Sequence, residues 1–103
     1  MAKKNDELRF YKKEDIKFIY ELISTRIKLF RKFRGITQEQ LAAKSLFSRG
    51  LIGNIESAKT DQTFSLAVLY AFSMALDIPM ELFLKEDISK ELKEMGWVDP
   101  NKS

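Results

Sequence analysis

The chain has no cysteine and no histidine. Without cysteine there can be no disulfide and no thiolate metal site, which suits a reducing compartment. Without histidine the commonest general base, the commonest metal ligand and any simple switch near neutral pH are missing. Only four glycines and two prolines interrupt 103 residues, and they form no glycine-rich phosphate loop. No apolar run approaches the roughly 20 residues of a membrane span. The start, MAKKNDELRF, lacks the apolar stretch of a signal peptide. The carboxylates are scattered along helix surfaces, with no constellation for acid–base work. The expectation is a cytoplasmic protein with no membrane partner, no cofactor, no metal, no catalytic residue and no enzymatic activity.

What remains is material for one small domain. Hydrophobic residues make up 45% and aromatic residues 12%, enough for a core. Charge is unevenly spread. Residues 1–34 hold eleven basic against five acidic side chains, a net +6, residues 35–59 are at +1, and residues 60–103 are at −4. A basic first third suits a polyanion such as nucleic acid, and it equally suits a solvated helix face.

No strand-like alternation is present, and nearly every segment has helical spacing. Ile16, Ile19, Tyr20, Ile23, Ile27 and Phe30 predict a long first helix from about residue 13 to Arg34, stopped by Gly35. Phe18, Leu22, Leu29 and Phe33 form a second stripe on it, to be covered by a tail helix or by a partner chain. Thr37 is a good N-cap with Gln40 as its capping-box partner, predicting a helix over Gln38–Ser45. Ser48 caps another running to Ser57, and Ala58 to Gln62 reads as a polar loop. Thr63 is expected to cap an apolar helix through Leu66, Leu69, Tyr70, Ser73, Met74 and Leu76. Pro79 fits the first turn of a short helix through Leu82 and Phe83, and Asp87 starts a last piece ended by Gly96. The predicted layout is all-α. Residues 1–12 form a flexible basic N-terminus, 13–84 the domain, and 85–103 a short C-terminal helix and tail.

Two short helices joined by a tight turn can lay the second in a major groove. Leu41 and Ala42 would face inward from the first, Phe47 would plug the corner, and Ile52 and Ile55 would anchor the second. At these residues the chain resembles a known family. The run I27-x-x-F30-R31-x-x-x-G35-I36-T37-Q38-E39-Q40-L41-A42, with S48-R49-x-x-I52-x-N54-I55-E56, is similar to the Xre or Cro/cI-type helix-turn-helix repressors. Downstream, L66-x-x-L69-Y70-x-F72-x-x-A75-L76-D77-I78-P79-x-E81-L82-F83 resembles the helices that close the same domain. The resemblance implies a compact five-helix, lambda-repressor-like domain, here with an extended first helix, that binds double-stranded DNA as a homodimer on a two-fold-symmetric operator. Restriction–modification controller proteins and small phage or plasmid repressors look similar in size and layout.

Carried over by position, the resemblance places a phosphate contact at Gln38, with Ser48, Lys59 and Thr60 as further candidates. Base reading falls on Arg49, Gly50, Leu51 and Asn54. The Arg49 guanidinium matches guanine O6 and N7 bidentately, and Asn54 could read adenine or bind phosphate. At Gly50 either the backbone approaches DNA or Leu51 touches a thymine methyl. Arg31 and Glu56 fall where the family has a structural ion pair. Ile78, Met80, Leu82, Phe83 and Leu84 exceed what one small core needs and are expected at a dimer interface. The family often has glycine where this chain has Leu46, and a left-handed leucine there carries roughly 1–2 kcal/mol of strain. Ala58 and Gln62 stand where the following loop commonly shows Gly and Pro. RNA polymerase and a toxin protein are further candidate partners. In the alternative reading, an antitoxin-like protein, the partner would dock near Phe18, Leu22 and Leu92.

Overall fold

A computed structural model describes residues 13–57 and 63–97. Among them are five α-helices, one short 3-10 helix and no strand. The helices are α1 (Lys13–Phe33), α2 (Gln38–Ser45), α3 (Arg49–Ser57), α4 (Leu66–Leu76) and α5 (Ser89–Glu94), with the 3-10 turn at Met80–Phe83. The expectations for residues 1–12, for the loop at 58–62 with Lys59 and Thr60, and for the tail from residue 98 onward lie outside the described residues.

Helix α1 carries Glu14 and Asp15 in its first turn and Arg31 and Lys32 in its last, each sign at the end where the helix dipole favours it. Its inward stripe is Ile23, Ile27 and Phe30, all buried. Ile19, expected on that stripe, is exposed instead. The helix ends at Gly35, whose φ of 70° suits the absence of a Cβ. The Gly35 N–H donates to Lys32 and the Ile36 N–H to Arg31, the paired bonds of a Schellman motif. One residue later Thr37 caps α2. Its hydroxyl accepts from the Gln40 amide at 3.0 Å, while Gln40 Oε1 accepts from the Thr37 amide at 2.8 Å. The sharp corner between α1 and α2 is thus set by backbone and cap geometry.

Leu41, Ile52 and Ile55 from the two short helices are fully buried against Phe30, Phe72 and Phe83. Phe47, in the turn between α2 and α3, rests edge-on against Phe72 with centroids 6.0 Å apart. The cap of α4 is Ser65, which accepts from the Val68 amide. Thr63 was the sequence expectation, but a cap must stand immediately before the first helical residue, and that residue is Leu66. Pro79 likewise precedes its short helix, which is 3-10 in form. Along α4 the buried side is Val68, Leu69, Phe72, Ser73 and Leu76, whereas Leu66, Tyr70 and Met74 point outward, more than half exposed.

The C-terminal segment covers part of α1 and leaves Phe18 exposed. Ile88 is buried in the common core, and Leu92 and Met95 pack against it. Trp97 reaches Phe33 of α1, with ring centroids 5.8 Å apart. Arg26 of α1 donates to the Lys85 and Glu86 carbonyls. Arg34 donates to the Leu76 and Asp77 carbonyls at 2.7 and 2.8 Å, satisfying the open C-terminal end of α4. Part of the basic excess in the first third is therefore spent on holding the chain's later elements.

Leu46 caps α2 in the left-handed conformation, φ 65° and ψ 17°, and its side chain is 92% exposed. The strain buries nothing in return. Leu46→Gly should therefore stabilise the fold by about 0.5–1 kcal/mol, relief of strain outweighing the greater freedom of glycine in the unfolded chain. The check is a urea titration, and an unchanged or lowered midpoint would mean that Leu46 packs in a way its exposure hides.

Candidate nucleic-acid interface

The second short helix of the pair, α3, has two ends with opposite character. At its C-terminal end Glu56 is buried. Its carboxylate takes the Arg31 guanidinium in a two-point grip, Nε to Oε2 at 2.7 Å and Nη2 to Oε1 at 2.8 Å. The side chains are 11% and 2% exposed. Arg31 Nη1 also donates to the Ile36 carbonyl at 2.8 Å, and Gln38 Nε2 donates to Glu56 Oε1 at 3.1 Å. One carboxylate on α3 thereby ties together the end of α1, the α1–α2 corner and the first residue of α2. The hydrogen bond to Glu56 raises the Arg31 pKa above its ordinary value against the opposing effect of burial, so the guanidinium stays charged.

At the N-terminal end, Ser48, Arg49 and Gly50 are exposed, as is Asn54 one turn on. Ser48 Oγ accepts from the Leu51 amide at 3.0 Å, which caps α3 and leaves the hydroxyl proton for another acceptor. A Cβ at Gly50 would meet only Ser48 Oγ, at 4.0 Å, so the packing of the chain itself does not demand glycine there. The open face offers one cation, one amide and a stretch of bare backbone, a set that can meet base edges and phosphates.

Not every expected contact stands on that face. Leu51 is half-buried and packs against the core, so only part of it is available. Gln38 is half-buried and its side chain turns toward α3. One of its amide protons is given to Glu56, leaving the second, and the backbone N–H of Gln38 makes no hydrogen bond among the described residues. Arg49 is exposed but engaged, its Nε donating to Glu39 Oε1 at 3.0 Å. Sequence reading passed over Glu39, because an exposed glutamate in the first turn of a helix looks like ordinary dipole pairing.

The residues assigned to a dimer interface divide. Ile78, Leu82 and Phe83 are buried in the protomer's own core. The long first helix needs a floor as well as a wall, and these side chains supply it, Phe83 standing edge-on to Phe30 at 4.9 Å. Only Leu84, exposed, and Met80, half-buried, present surface. On the antitoxin-like docking face Leu92 is half-buried against the core, while Phe18 stays exposed.

No helix among the described residues is long and apolar enough to cross a membrane, and no group of three or more acidic side chains there could hold a metal ion. The helix-turn-helix family HTH_3 matches residues 27–83, which span α1 from Ile27 through the 3-10 turn. Among solved structures the chain is similar to a point mutant of the restriction–modification controller protein C.Esp1396I. The two share 28% identity over 80% of this chain and 96% of that one, with a TM-score of 0.59. No curated protein sequence matches.

Removing one partner of a buried, charged pair strands the other. Glu56→Ala should destabilise the fold by about 3–5 kcal/mol, because Arg31 would stay buried without its counter-ion. Chemical denaturation measures this. A loss below about 1 kcal/mol, the range of an exposed pair, would contradict a clamping role.

Proposed function

The chain belongs to the HTH_3 helix-turn-helix family, and from that premise we propose that it is a sequence-specific transcriptional regulator that binds double-stranded DNA as a homodimer. The observation that carries the reading is the asymmetry of α3. Its far end is clamped to two other elements through Glu56, and its near end holds Arg49, Gly50 and Asn54 open to solvent. A rigidly held helix with a bare N-terminal face is what insertion into a major groove requires.

In this reading α3 enters the groove, Arg49 reads a guanine and Asn54 an adenine or a phosphate. Gly50 lets the backbone come close. The free amides of Gln38 and the Ser48 hydroxyl take phosphate oxygens, and Lys59 and Thr60 are further phosphate contacts. Two protomers related by a two-fold axis would place their recognition helices about 34 Å apart, on a palindromic operator. Met80 and Leu84 supply what remains of the expected dimer surface. Likeness to a controller protein favours control of restriction–modification genes or of the chain's own promoter, from the cytoplasm.

Selection from a pool of random duplexes, followed by fluorescence anisotropy on the selected and a scrambled sequence, tests this. The expected result is one palindromic consensus bound by two protomers. In Arg49→Ala the preference should weaken by about 1–3 kcal/mol. Enrichment of no sequence, with weak and steeply salt-dependent binding throughout, would leave only phosphate attraction and overturn the reading. Gly50→Ala separates fold from site. It should raise stability by about 0.5–1 kcal/mol as a helical glycine is replaced while lowering affinity for the consensus, and a gain in both would remove Gly50 from the interface.

A further inference from the structure

Arg49 is the one cation on the open face of α3, and in the protein alone it is already held. Its Nε donates to Glu39 Oε1 at 3.0 Å across the corner between α2 and α3. Both side chains are more than half exposed, and exposed pairs add little to folding stability. What the contact does fix is direction. The Glu39 carboxyl sits in the first turn of α2, where its own backbone N–H, then Arg49 and more weakly the Thr37 side chain hold it below the usual carboxylate range. It is a charged post standing on a capped helix end.

A guanidinium has five N–H donors on a rigid plane. Glu39 takes the Nε edge, and neither Nη of Arg49 has a partner among the described residues. Guanine O6 and N7 need two parallel donors, and the free Nη end can still provide them. A phosphate needs only one donor and would compete with Glu39 for the cation.

We infer that Glu39 is a specificity-determining positioning residue: it aims the Nη end of Arg49 at a base edge and, by its charge, disfavours the looser binding in which Arg49 rests on phosphate. This rests on the DNA-regulator reading above. It predicts that neutralising Glu39 strengthens binding to the wrong DNA more than to the right DNA.

The test uses the full chain in four forms, wild type, Glu39→Gln, Arg49→Ala and the double variant, each titrated with the selected and the scrambled duplex at several salt concentrations. The ratio of the two affinities is read, because a change in the folded fraction alters both equally. In Glu39→Gln the ratio should fall by about fivefold or more, the size of coupling expected between contacting residues. Scrambled-duplex binding should gain about one phosphate contact in its salt slope. In the Arg49→Ala background Glu39→Gln should leave the ratio unchanged. A wild type that prefers the selected duplex, with the same ratio in Glu39→Gln, overturns this inference alone. So does an equal fall in the Arg49→Ala background, which would make Glu39 a general repulsive charge. A wild type without preference overturns the regulator reading, and this inference with it.

Discussion

The buried pair between Arg31 and Glu56 is the constraint on which the arrangement of the first three helices depends. Taking two charges out of water is expensive, and an apolar pair of similar shape often serves stability as well or better. What such a substitute cannot supply is direction. The guanidinium meets the carboxylate along two parallel bonds, and its remaining nitrogen meets the Ile36 carbonyl, so both plane and distance are fixed at once. Gln38 adds a third element to the same carboxylate. Because α3 is only nine residues long, fixing its last turn fixes where its first turn points.

The arginines of α1 and of the residue that follows it obey one logic. Arg26, Arg31 and Arg34 reach the segment after the 3-10 turn, the end of α3 and the end of α4 respectively. The long helix acts as a spine from which cations reach out to satisfy carbonyls and a carboxylate that would otherwise be left open. Opposing this order, among the described residues, are two places with a left-handed non-glycine residue, Leu46 and Asp77, each ending a helix. At Asp77 the Arg34 contact to its carbonyl helps hold that geometry. At Leu46 the α2–α3 turn is tight enough to impose it, since α2 and α3 are pinned on both sides by Leu41, Ile52 and Ile55.

Much of this was legible in the sequence, and for physical reasons. Helix periodicity, the Thr37–Gln40 capping box and the stop at Gly35 are local signals, decided within a few residues, and the elements they predict are those found. The Arg31–Glu56 contact was legible only through family resemblance, since 25 residues separate the partners. What escaped was decided by tertiary context. Ile78, Leu82 and Phe83 have the composition of an interface and turn out to be core, because apolar character does not say which apolar surface covers it. The helix through Leu66, Tyr70 and Met74 is apolar nearly all round, so its sequence does not say which side is buried, and the neighbours it meets choose that side. The Glu39–Arg49 contact lies across a corner whose angle the spacing of residues does not encode.

The claim that α3 is clamped at one end and reads DNA with the other is tested most directly by a nuclear magnetic resonance titration of the isotope-labelled chain with the selected duplex. Backbone amide shifts should change at residues 37–39 and 48–54. The Arg31 and Glu56 side-chain signals should hold their positions, and the outward face of α4 at Leu66, Tyr70 and Met74 should show no phosphate-like, salt-sensitive change. Shifts concentrated on α1 or α4, with residues 48–54 unmoved, would contradict the account.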